Sequence, residues 1–133
     1  MKVRLIWGNY VSGDLKKTAD FYTALGFKRN DNMEDGEFVS FIFGETSHFI
    51  INFFTEERLS DPMNGGLSIP KTSNELIFSL SADSKEEVDQ WAEKVKQAGG
   101  TISSEPQKFQ QGYTFAFSDP DGHKFNFLYW PGM

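Results

Sequence analysis

The chain has 133 residues, and its 19 acidic and 13 basic residues give a formal net charge of −6, which disfavours nucleic acid as a partner because phosphates would be repelled. It contains no cysteine, which excludes disulfides, thiolate metal sites and a cysteine nucleophile. The most apolar stretch, residues 49–54, is far shorter than the ~20 residues of a membrane span, and residues 1–7 do not resemble a signal peptide, so we expect a cytoplasmic protein without membrane contacts.

The first half of the chain predicts a βαβββ unit. Asp14 caps a helix that places Leu15, Ala19, Tyr22 and Leu25 on one face and stops at Gly26. A polar turn is expected at residues 32–36. Strands are predicted at residues 2–11, 27–30, 37–43 and 48–54.

The second half predicts the same order of elements. Ser84 and Glu87 form a capping-box pattern at the start of a helix that stops at Gly99 and Gly100. Between the halves, residues 55–73 are the only long irregular stretch, which we interpret as a linker that could also fold over a pocket mouth. Strands are predicted at residues 75–80, 101–108, 113–118 and 124–130, with a hairpin turn at residues 119–122.

The two halves also resemble each other at a fixed offset of 74 residues. Phe115 follows Phe41, and Asn126 follows Asn52, by this interval. Such a repeat indicates one unit used twice. We therefore predict one α+β domain over residues 1–133, with repeat 1 at about residues 1–55, a linker at about 56–73, and repeat 2 at about 74–133.

Several motifs resemble the vicinal oxygen chelate superfamily, which includes glyoxalase I, extradiol dioxygenases and bleomycin resistance proteins. The strongest is Ser118-Asp119-Pro120-Asp121-Gly122 before the last strand, and the Leu25-Gly26-Phe27 helix end is a second. Asn9, the run 14–17 and the run 80–89 resemble a bacterial branch labelled predicted lactoylglutathione lyase. The resemblance covers essentially the whole chain. It implies two repeats that form a curled mixed sheet with a cleft, and a homodimer.

The resemblance also implies where metal ligands would lie. They fall near Trp7 or Asn9, and on Asn52, Glu75 and Asn126. Only Glu75 among these binds a divalent metal well, whereas catalytic zinc sites usually offer about three ligands of His, Cys or carboxylate type. We therefore expect no cofactor, with a divalent metal as the less favoured alternative.

The two histidines do not complete a metal site in the sequence pattern. His48 and His123 each begin a predicted strand beside a turn. His48 would lie roughly 13 Å from Asn52 along a strand, and His123 would face the side opposite Asn126. We expect both to anchor turns or to face solvent.

Other candidate residues keep two interpretations each. Glu75 is either a general base in an aromatic cavity or an exposed carboxylate at a strand start. Asn52 and Asn126 interrupt apolar strands, so they either bond to the backbone or present polar groups to a ligand. Trp7, Phe41 and Tyr113 belong to the unusually large aromatic set (16% of residues), which lines a cavity or fills the core.

Two functions follow as hypotheses. The first is a protein that binds a small cationic or aromatic molecule in the cleft between the repeats, without a standard metal site. The alternative is a metal-dependent lyase or isomerase of the lactoylglutathione lyase type. The replacement of expected ligands by amides favours the first, because amide oxygens are weak, neutral ligands.

Overall fold

Each half of the chain forms its own four-stranded mixed sheet with a helix packed on one face. A computed structural model describes residues 1–30, 36–63 and 74–132. The chain divides into two compact units, Met1–Ile69 and Pro70–Met133. The predicted α+β class and the order βαβββ are confirmed in both units.

In unit 1 the sheet order is β1-β4-β3-β2, with β1 parallel to β4 and the other pairs antiparallel. Helix α1 begins after Asp14, whose side chain accepts a hydrogen bond from the backbone N–H of Lys17. The elements of unit 1 are β1 (Gly8–Val11), α1 (Leu15–Ala24), β2 (Lys28–Arg29), β3 (Phe38–Phe43), β4 (Phe49–Phe54), α2 (Glu56–Ser60) and a 3₁₀ turn (Asp61–Met63).

The core of unit 1 is centred on Tyr22, which is fully buried. Its ring centroid lies 4.8 Å from that of Phe53 and 5.5 Å from that of Phe41. The alternation of β3 and β4 therefore directs Phe41 and Phe53 toward α1 and their neighbours to the opposite face.

In unit 2 the sheet order is β5-β8-β7-β6, again with one parallel pair, β5 and β8. Trp91 of the helix stacks on Phe127 with a centroid distance of 4.3 Å. Phe115, Phe117 and Phe125 extend this stack beneath the helix. The elements are β5 (Ile77–Ser81), α3 (Lys85–Ala98), β6 (Thr101–Phe109), β7 (Gly112–Ser118) and β8 (Lys124–Tyr129).

The predicted ends of α3 are confirmed. Ser84 is the N-cap and its hydroxyl accepts the backbone N–H of Glu87, while the Glu87 carboxylate accepts the backbone N–H of Asp83. At the other end Gly99 adopts a left-handed conformation with φ of 92°, which a side chain would oppose. Of the helices formed by residues 1–30, 36–63 and 74–132, none is long and apolar enough to cross a membrane.

Two element predictions in unit 1 are wrong. The strand predicted for residues 2–11 begins only at Gly8, and Leu5 and Ile6 are 77% and 79% exposed, so the apolar pattern of this segment buries nothing. Part of the linker is helical, since Thr55 caps α2 by accepting the backbone N–H of Arg58. The predicted turn at residues 32–36, except Gly36, and the rest of the linker, residues 64–73, lie outside the described residues.

The fixed offset of 74 residues does not hold across the sheets. Asn52 lies opposite Ser40, and Asn126 lies opposite Ala116. If the two asparagines are equivalent, Ser40 and Ala116 are equivalent too, and they are 76 residues apart. Pairing across strands, rather than spacing along the chain, therefore defines which residues correspond.

We predict that Ser84→Ala lowers the stability of unit 2 by about 1 kcal/mol, because the N–H of Glu87 loses its capping oxygen. Ser84→Asp is the matched control, since aspartate caps as well as serine and should keep wild-type stability. Urea unfolding followed by far-UV circular dichroism measures both. Equal losses for the two variants would contradict the capping role.

Candidate functional site

A row of polar side chains crosses the sheet of unit 1 on the face away from α1. Asn30 Nδ2 donates to Ser40 Oγ at 3.2 Å, and Ser40 Oγ donates to Asn52 Oδ1 at 2.6 Å. Asn52 Nδ2 in turn donates to Asn9 Oδ1 at 3.1 Å. The row forms because Asn9 and Ser40 both lie directly opposite Asn52 in the strand register.

A second row crosses the corresponding face in unit 2. Ser79 Oγ donates to Asn126 Oδ1 at 2.6 Å, since Ser79 lies opposite Asn126 in the parallel pair. Asn126 Nδ2 donates to Thr114 Oγ1 at 3.2 Å, and Thr114 Oγ1 donates to the backbone carbonyl of Phe127 at 2.7 Å. We call these two sets the amide rows.

The two rows run in opposite directions across their sheets. The Asn52 carbonyl points toward β3 and its amino group toward β1, the edge strand. In unit 2 the Asn126 carbonyl points instead toward the edge strand β5. The two asparagines thus occupy matching places with reversed amides, and each is half-buried.

The amide rows do not fit the metal site that the fold family implies. Both asparagine carbonyl oxygens accept short hydrogen bonds from serine hydroxyls, which orient them toward a donor. The residues of the rows are amides and hydroxyls, with neither an imidazole nor a carboxylate among them. Neutral oxygens of this kind hold a transition metal poorly.

Glu75 lies apart from the row of unit 2. It is exposed and precedes β5, which begins at Ile77. Ser79 occupies the place opposite Asn126, and four residues of extended chain correspond to roughly 13 Å. A general-base role for Glu75 therefore remains a prediction from the sequence, and the structure does not bring its carboxylate to Asn126.

The aromatic candidates are spread over different surroundings. Phe41 is fully buried beneath α1, on the face opposite Ser40 and Asn52. The hydroxyl of Tyr113 donates to Asp89 of α3 at 2.9 Å, and this hydrogen bond raises the pKa of Tyr113, with smaller contributions from burial and from the Asp89 charge. Trp7 precedes β1 and is 54% exposed. Phe41 and Tyr113 are thus directed to the helix side of their sheets.

Sequence reasoning missed the hydroxyl members of the rows, Ser40, Ser79 and Thr114. One signal was present: each interrupts an apolar strand, as the asparagines do. Their partners, however, lie on other strands, so the pairing becomes visible only with the register.

The two histidines have different surroundings. His48 is exposed and has a positive φ of 49° in the β3–β4 turn, whereas His123 is buried. In the β7–β8 turn the Asp119 carboxylate accepts the backbone N–H groups of Asp121 and His123. The side-chain ligand atoms of these three residues lie within 4.8 Å of one another, a spacing compatible with a metal ion but also with a turn held by its own aspartate.

Comparison with known families identifies the class of protein. A profile of the glyoxalase/bleomycin resistance protein/dioxygenase superfamily matches residues 4–127, and the chain belongs to this superfamily. A hypothetical protein, SA1046 from S. aureus, has a similar solved structure, with 36% identity, a TM-score of 0.84, and coverage of 97% of this chain and 95% of that one.

More distant solved structures share the fold. A glyoxalase-related enzyme from Fulvimarina pelagi has 18% identity and a TM-score of 0.82, covering 97% of this chain and 90% of that one. A lactoylglutathione lyase from Agrobacterium tumefaciens has 18% identity and a TM-score of 0.70, covering 96% and 94%. At this identity the likeness concerns the fold alone. No curated protein matches the chain.

We predict that Ser40→Ala destabilises the protein by about 1–3 kcal/mol, because it removes the donor to Asn52 at a position only 1% exposed. Ser79→Ala is the matched control in the other row. Ser79 is exposed, so water replaces its hydroxyl and the loss stays below about 0.5 kcal/mol. Urea unfolding measures both variants, and equal losses would contradict the burial argument.

Proposed function

We propose that this protein binds a small cationic or aromatic molecule through its amide rows, without a metal at the ligand positions of the superfamily. One observation carries the proposal. At the two matching places, Asn52 and Asn126 replace charged ligands and are hydrogen-bonded to serine hydroxyls at 2.6 Å.

The hydrogen-bonding capacity of the rows supports a binding role. An amide has two N–H donors and a carbonyl with two lone pairs, and the row contacts of Asn52 use one donor and one lone pair. Asn9, at the end of the row in unit 1, is exposed. Fixed polar groups of this kind orient a ligand and confer specificity.

An aromatic surface accompanies the row of unit 1. Phe38 and Phe54 lie two residues from Ser40 and Asn52 along their strands, and therefore on the same face. Their rings stack with a centroid distance of 5.1 Å and remain half-buried. A planar ligand could pack on these rings while its polar groups contact the amides.

The alternative, a metal-dependent lyase or isomerase, is less well supported. It would need charged ligands beside Asn52 or Asn126, and the rows supply amides and hydroxyls. If turnover were found, Glu75 would be the general base proposed from the sequence, and Glu75→Gln would remove it. A homodimer is a further expectation from the superfamily, which gel filtration would measure.

We predict that one or more members of a panel of cationic and neutral aromatic molecules, including bleomycin, raise the melting temperature of the protein, since a ligand stabilises the state that binds it. Asn9→Ala should weaken such a ligand by about fivefold, the equivalent of one hydrogen bond, while leaving stability unchanged. Thr23→Ala, exposed on α1, is the control and should bind as wild type does.

A second assay tests the alternative directly. The hemithioacetal of methylglyoxal and glutathione is supplied with and without nickel or zinc. We expect no turnover in either case. Metal-dependent turnover that is lost in Glu75→Gln, together with no stabilisation by any member of the panel, would overturn the proposed function.

A further inference from the structure

A cavity of about 280 Å³ lies in unit 2, away from the side chains of the amide rows. It is found where the parallel neighbours β5 and β8 end, and the backbone N–H of Ala82 donates to the carbonyl of Leu128 at its base, at 2.9 Å. Its volume is near the lower end of the range for ligand pockets, so it suits a small molecule. It is lined by Ser81, Ala82, Asp83, Tyr129, Trp130 and Gly132.

The aromatic wall of this cavity is held by close packing. Gly112 at the start of β7 is buried, and a Cβ placed there would lie 2.7 Å from Trp130 Cε3 and 2.6 Å from the carbonyl oxygen of Tyr129. Only glycine leaves room for this approach. The backbone of β7 therefore supports Trp130 from one side, beside the cavity.

The charge of the lining is negative. Asp83 contributes a carboxylate, and lysine and arginine are absent from the six lining residues. The adjoining start of α3 does not offset this charge, because Ser84 Oγ and the Glu87 carboxylate accept N–H groups there. Glu87 thereby brings a second carboxylate next to Asp83.

We propose that this cavity binds a small organic ammonium ion. A carboxylate pairs with the cationic nitrogen, and aromatic rings favour a cation over a neutral group of the same shape. Tyr129 and Trp130 supply the rings, and the hydroxyl of Ser81 adds an acceptor for an ammonium N–H. The site uses none of the residues of the amide rows, so it does not depend on the proposed function.

Isothermal titration calorimetry with benzylammonium chloride, at constant ionic strength, tests this site. Benzyl alcohol is the matched neutral probe. We expect saturable binding of the ammonium ion, at least about fivefold tighter than that of the alcohol, from the cation–π and charge contributions. Asp83→Asn should weaken ammonium binding by about five- to tenfold and leave the alcohol unchanged.

Two further variants keep the test specific. Glu86→Gln removes one negative charge from the first turn of α3 outside the cavity lining, and it should change affinity by less than about twofold because an exposed charge is screened. Trp130→Leu should also weaken the ammonium ion, with circular dichroism confirming the fold. Equal binding of both probes, no binding of either, or an equal loss in Glu86→Gln would overturn the proposal.

Discussion

A hydrogen bond from a serine hydroxyl to an asparagine carbonyl, made across adjacent strands, determines what chemistry this protein can carry. It occurs once in each sheet, from Ser40 to Asn52 and from Ser79 to Asn126, at 2.6 Å in both. The bond satisfies an amide in an otherwise apolar strand and orients its oxygen toward a donor. A position that carries a metal ligand in relatives thus becomes part of a neutral network, so the chain keeps the superfamily fold without its usual donor set.

The hydrogen-bonded rows depend on the aromatic cores behind them. Tyr22 under one sheet and Trp91 under the other pack against phenylalanines at alternate strand positions. Because side chains alternate along a strand, burial of Phe53 and Phe127 places Asn52 and Asn126 on the opposite faces. A shift of register by one residue would bury the amides and expose the rings, so the hydrophobic cores also maintain the polar rows.

Much of the fold could be predicted from local signals, and the site only in part. Ser84 and Gly99 act within one turn of their helix, so their roles are visible in the sequence. The partners of Asn52 and Asn126 lie on other strands, and the constant offset of 74 residues concealed that Ser40 corresponds to Ala116. Apolar character likewise predicted a strand at residues 2–7, although a strand also requires a partner and a surface to bury.

Metal content is the most direct test of the central claim. The protein is dialysed against nickel or zinc, the excess is removed, and bound metal is measured by mass spectrometry for the wild type and for an Asn52→Ala, Asn126→Ala double variant. If the amide rows are neutral networks, the two proteins retain the same amount of metal, whatever Asp119 and His123 hold in the β7–β8 turn. Stoichiometric metal in the wild type that disappears in the double variant would contradict the account.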